Sequence, residues 1–187
     1  MTTLFIKNMV CNRCIMAVKS ELDKLGIEPT DLKLGEVTLE KELTTQEKEK
    51  LSRVLVSLGF EMISDKKSRI IEQIKNIIIA LVHHQNNEIK TNISDVLSSN
   101  LHHDYNYLSN LFSEAEGTTI EKYFIAQKIE KVKELLVYDE LSLSEIAFRF
   151  NYSSVAYLSN QFKKVTGLSP SHFKNIREDR RKPLDEV

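Results

Sequence analysis

Two sets of side chains in this sequence have types and spacings suited to chemistry. The first is a thiol pair: the only cysteines, Cys11 and Cys14, lie three residues apart within Met9-Val10-Cys11-Asn12-Arg13-Cys14. Thiolates so spaced at a helix start can converge on one soft ion, Cu(I) or Zn(II), or act as a redox dithiol, and the positive helix end favours their deprotonation. One such pair cannot close a tetrahedral zinc site by itself. The second set is repeated: Tyr107, Leu108, Ser109, Asn110, Phe112 and Gly117 recur 50 residues later as Tyr157, Leu158, Ser159, Asn160, Phe162 and Gly167. An exposed Asn amide pairs bidentately with adenine, so a repeated Ser-Asn suits reading base edges. The doublets His83-His84 and His102-His103 point their rings about 100° apart on a helix and read as surface or turn residues. No Gly-rich phosphate loop, nucleophile elbow or paired acid and base at a recognisable spacing is present, so an enzyme is not expected.

The thiols need a strand that delivers them to a helix. Residues 4–64 mix short β-type runs (Leu4 to Ile6; Leu32, Leu34, then Val37, Leu39; Phe60 to Ile63) with two helical stripes, Ile15, Val18, Leu22, Leu25 and Leu51, Val54, Leu55, Leu58. Thr44 with Glu47 forms a capping box for the second helix, and Gly26 and Gly59 stand as C-caps. The order is strand, helix, strands, helix, strand. A helix follows from about Arg69 to His83, with Ile70, Ile74, Ile77, Ile78 and Leu81 on one face. That stripe suits a seam with a second copy or a linker helix packed on its own chain; being wide and under three heptads long, it favours the linker.

Order and loop together resemble the heavy-metal-associated domain of copper chaperones and pumps over about residues 2 to 65. The resemblance implies a ferredoxin-like α/β sandwich with Cys11 and Cys14 as metal ligands; Asn8 and Val10 depart from that family's usual Gly and Thr. Two other readings of the pair stand beside it. One is a metal-free ferredoxin-like module kept for dimerisation or effector contact. The other, a thioredoxin-like dithiol, is disfavoured because about 65 residues without Trp are too few for that fold.

The repeat needs helices too. Leu108 and Phe112, like Leu158 and Phe162, are four apart and share a helix face, with a glycine to end each helix. Before the second copy, Ser142 and Glu145 cap a helix from Leu143 to Phe150, Asn151 suits the positive φ of a tight turn, and Ser153 or Ser154 caps the next helix. This is a helix-turn-helix reader. The first copy has a less regular version: Ile93 to Leu101, a turn at His102, His103 and Asp104, then a helix from Tyr105. Between the two, a helix of roughly 27 Å opened by Thr118 and Glu121 could space two readers near the ~34 Å separation of successive major-groove faces.

Residues from about 90 to 176 resemble the AraC/XylS-type DNA-binding domain. The resemblance rests on Tyr107 to Gly117, Lys133-Glu134-Leu135-Leu136, Ile146-Ala147, Phe162-Lys163-Lys164 through Gly167, and Ser169-Pro170-Ser171-His172-Phe173. Asn151 replaces that family's usual Gly, and Asn110 and Asn160 stand where Arg is frequent. With the apolar faces turned inward, base edges fall to Asn106, Ser109 and Asn110 in the first unit and to Val155, Ala156, Ser159 and Asn160 in the second, which predicts an A·T-leaning site. Arg149, Ser153, Ser154, Lys163, Lys164 and Lys174 are the phosphate candidates. Tyr107 and Tyr157 are expected to pack beside the turn.

Composition agrees with these elements. The 187 residues are 41% apolar and 28% charged with a net charge of −1, which excludes collagenous and disordered classes. From Leu141 to Lys182, eight Lys or Arg oppose three Asp or Glu, a basic end suited to double-stranded DNA. No apolar run approaches the ~20 residues of a membrane span and no charged-then-apolar leader opens the sequence, so a cytoplasmic protein is expected. The resulting expectation is an α+β protein: a ferredoxin-like domain over 1–66, a linker helix over 67–88, and an all-α domain over 89–187 with two helix-turn-helix units joined by a long helix. Its function would be sequence-specific transcription regulation answering to metal or thiol state, as a monomer or a homodimer. The alternative is a soft-metal chaperone whose helical half docks a protein partner.

Overall fold

Alternation decides the first sheet. In the strand Thr2–Lys7 (β1), Leu4 and Ile6 are buried, while Thr3 and Phe5 lie on the other face. In this computed structural model, which describes residues 1–84, 92–138 and 141–176, β1 leads to helix α1 (Asn12–Lys24), the hairpin β2 (Pro29–Lys33) and β3 (Glu36–Leu39), helix α2 (Thr45–Ser57) and strand β4 (Glu61–Ile63). The expected boundary at residue 88 and the basic residues beyond 176 lie outside the described residues. The sheet order is β2-β3-β1-β4, antiparallel throughout, with β1 central between β3 and β4. Val18 and Leu22 of α1 and Leu51 and Leu55 of α2 pack with Leu4, Ile6, Val37 and Leu39 into one core. Thr44 and Glu47 form the capping box that starts α2.

Two compact units divide the chain, Met1–Asn76 and Ile77–Val187, and the division falls within helix α3 (Lys66–Ile79). The sequence predicts that helix from about Arg69 to His83. It instead begins at Lys66, because the Asp65 carboxylate accepts the Ser68 amide at 2.8 Å, and beyond Ile79 the backbone widens into a π-helical turn, Ala80–His84. Three polar side chains of α3, at the i, i+4, i+7 spacing of one helix face, contact the sheet and the strand ends beside it. The Arg69 guanidinium lies 5.0 Å from the Phe5 ring centroid and donates to the Ser64 carbonyl, Gln73 donates to Glu36 at 2.6 Å, and Asn76 donates to the Leu34 carbonyl at 3.2 Å. Phe5 and Glu36 are cross-strand partners, so these contacts fall on the face opposite the core. Gly35 is required beneath them, since a Cβ there would stand 2.1 Å from the Asn76 amide nitrogen and φ is +75°. Of the expected stripe, Ile70, Ile74 and Ile78 are buried in the single chain, and Ile77 and Leu81 are half-buried.

The second unit is helical: α4 (Ile93–Leu101), α5 (Tyr105–Glu116), α6 (Ile120–Tyr138), α7 (Leu143–Arg149), α8 (Val155–Thr166) and α9 (Pro170–Ile176). Phe112, Phe150 and Phe162 are its largest fully buried side chains. The 19-residue α6 is about 28 Å long at 1.5 Å per residue and touches α5, α7, α8, α9 and the π-helical turn.

Candidate nucleic-acid interface and thiol pair

Each helix of the repeat starts on a side-chain cap. The Asp104 carboxylate accepts the Asn106 and Tyr107 amides at the start of α5, and the Ser154 hydroxyl accepts the Tyr157 amide at 3.1 Å at the start of α8, which settles the choice between Ser153 and Ser154. Both helices end on a left-handed glycine, Gly117 and Gly167. Leu108, Phe112, Leu158 and Phe162 are fully buried, so the opposite faces are turned outward. Asn106, Asn110, Ala156 and Asn160 are exposed, and Ser109, Val155 and Ser159 are half-buried. Of the phosphate candidates, Ser153, Ser154, Lys163, Lys164 and Lys174 are exposed and Arg149 is half-buried.

The two turns differ by one residue. In the second unit Asn151 takes a left-handed φ of 54°, three residues before its N-cap Ser154; in the first, His102 takes the same φ only two residues before Asp104. Tyr107 packs on His103 with ring centroids 5.2 Å apart and Tyr157 on Tyr152 at 6.0 Å, so both tyrosines sit beside their turns although about half of each stays exposed.

Several positioning residues escape sequence reasoning. Lys128 reaches from α6 to donate to the Phe150 carbonyl at 2.8 Å, closing the end of α7, and its ammonium lies 4.3 Å from the Tyr152 ring centroid; burial lowers its pKa to about 8. Tyr152 in turn donates to Gln161 of α8 at 2.6 Å. One lysine thus ties the connecting helix to the turn and, through Tyr152, to α8. His83 is not a surface histidine. It pairs with Gln127 at 3.0 Å, Gln127 donates to the Tyr123 hydroxyl, and burial lowers the His83 pKa to about 4. The available signal was position: Gln127 and Lys128 fall four residues after Tyr123 and Phe124 of the apolar stripe, where exposed residues are not expected.

In the first unit, Cys11 is the N-cap of α1 and Cys14 lies in its first turn, with sulfurs 3.4 Å apart. Burial raises the pKa of Cys14. Burial also opposes ionisation of Cys11, but backbone and side-chain hydrogen bonds with Cys14, a backbone bond with Arg13 and the Arg13 charge outweigh it and hold that thiol below its ordinary value. Met9, in the same loop, is fully buried in the core. Among the described residues no group of three or more His, Cys, Asp or Glu converges.

Residues 97–176 match a family model described as a helix-turn-helix domain. This segment runs from α4 to α9 of the helical unit. The chain is 32% identical over 72 residues to the xylose operon regulatory protein of Escherichia coli strain K12; this spans 38% of the chain but only 18% of that relative's length. Among solved structures, the C-terminal domain of AraT, a response regulator from Geobacillus stearothermophilus, covers 63% of this chain and 95% of its own, with 26% identity and a TM-score of 0.51. Both of these similar proteins are described as regulators. None of the described helices is long and apolar enough to cross a membrane.

Proposed function

We propose that this protein is a sequence-specific DNA-binding transcription regulator whose helices α5 and α8 enter adjacent major-groove segments of one duplex. The observation that carries this reading is the burial of both apolar faces of the repeat while Asn106, Asn110 and Asn160 stay exposed within the segment that matches a helix-turn-helix domain. Base edges fall to Asn106, Ser109, Asn110, Val155, Ala156, Ser159 and Asn160, and phosphates to Arg149, Ser153, Ser154, Lys163, Lys164 and Lys174. One chain holds both readers, so no second copy is required. In gel-shift titrations against genomic fragments at two salt concentrations, the reading expects preferred fragments and a salt slope of several units. Uniform, salt-insensitive binding would favour a metallochaperone instead.

A second reading concerns the first unit. Its strand order and helix placement support a ferredoxin-like module, and the paired sulfurs with a lowered Cys11 pKa suit a soft ion or a thiol reaction. Cys11 and Cys14 would hold Cu(I) or Zn(II), whose binding or loss would alter DNA affinity. Replacing both cysteines by serine should abolish any change in DNA affinity on adding Cu(I), Zn(II) or oxidant; a response that survives the double replacement removes the sensor role.

A further inference from the structure

Although the repeat makes the two helix-turn-helix units look equivalent, their charges are not. Residues 93–117 contain Asp95, Asp104, Glu114 and Glu116 and no Lys or Arg, and all four acids are exposed. Residues 143–167 contain Arg149, Lys163 and Lys164 against Glu145 alone. At the 50-residue offset, exposed Glu114 stands where α8 carries exposed Lys164, and Ser113 where it carries Lys163.

The connecting helix does not make up the difference. Lys128 is committed to the Phe150 carbonyl and the Tyr152 ring, Lys131 to Glu134 at 3.0 Å, and Lys133 to Glu130 at 2.5 Å. Lys122 is exposed but lies on α6, outside both units. Lys163 and Lys164 are exposed, and among the described residues neither is held in an ion pair. Affinity for a duplex comes largely from cations on phosphates, whereas base-edge amides confer sequence preference.

We infer that the two units do unequal work on DNA: the second anchors the chain to phosphates through Lys163 and Lys164, and the first lies on the duplex as a discriminator that reads bases with no phosphate anchor of its own. This rests on the DNA-binding reading above and assigns the labour within it. The acids of the first unit make its own approach to the duplex unfavourable, so it engages only when the second unit is already seated. Mismatches opposite α5 then change sequence preference without changing the number of counterions released.

The test is a fluorescence-anisotropy titration of the full chain against a mixed-sequence duplex from 50 to 200 mM salt. Wild type should show a linear log–log slope. Lys163→Gln with Lys164→Gln should reduce that slope by about 2, so that the variant loses roughly tenfold less affinity than wild type across the range. Glu114→Lys should steepen it by about 1, because a cation placed at the position equivalent to Lys164 finds a phosphate. All three positions are exposed, and far-UV circular dichroism confirms folding. An unchanged slope in the double variant overturns the anchoring role, and an unchanged slope in Glu114→Lys overturns placement of α5 on the duplex. A wild-type chain with no salt-dependent binding to any duplex removes the parent reading itself, a result distinct from either.

Discussion

Lys128 and His83 place titratable groups where water is scarce, and each makes stability depend on pH. Both bases have folded pKa values below their unfolded ones, so the unfolded chain binds the proton more tightly and stability rises with pH across each interval. For Lys128 the interval runs from about 8 to about 10.4, and the rise amounts to about 3 kcal/mol. Urea unfolding at pH 8 and pH 10 should show about 2 kcal/mol of this gain in wild type, and Lys128→Met should flatten it. For His83 the interval runs from about 4 to 6.5. Stability is complete above pH 6.5 and declines by about 3 kcal/mol as pH falls through 4, since the folded state keeps the imidazole neutral against Gln127. His83→Gln should lose much less stability between pH 7 and pH 4; an equal loss would place the acid sensitivity elsewhere.

At the level of elements, the turn between α7 and α8 concentrates the constraints. Ser142 and Glu145 start α7 by reciprocal capping, Lys128 closes its end, and Asn151 reverses the chain in a left-handed conformation. Asn tolerates a φ of 54° far better than a β-branched residue. Asn151→Val is therefore expected to destabilise the helical unit by about 1–3 kcal/mol in urea titration. Much of this was legible beforehand. The capping boxes at Thr44 and Ser142, the positive φ at Asn151 and the inward faces of the repeat all follow from local chemistry at fixed spacing. The start of α3 lies ahead of its apolar stripe because Asp65 caps it there, and the π-helical turn at its end leaves no mark in the apolar pattern. The thiol loop was legible as a strand–helix junction, but the burial of neighbouring Met9 depended on how the first core closes.

For the molecule as a whole, two cores imply two stabilities. Leu51 is fully buried among the side chains of the first core, and the second is built around Phe112, Phe150 and Phe162. Leu51→Ala should cost about 2–5 kcal/mol in the first unit and separate the unfolding of the two units in scanning calorimetry, leaving the helical transition in place. A single transition shifted as a whole would mean that α3, which contributes to both units, makes them unfold together.

Periodicity, caps and a repeated motif are local or short-range properties, so the amino-acid order by itself determined the helices, the strand order along the chain, the two outward faces of the repeat and the proximity of the two thiols. Which polar residues are spent inside the fold was decided only by tertiary structure. Arg69, Gln73 and Asn76 turn to the outer face of the sheet, Lys128 goes to the Phe150 carbonyl, and His83 goes to Gln127. Each of these contacts joins residues distant in sequence, and a buried polar group takes whichever partner packing brings within reach, a choice that no spacing along the chain encodes.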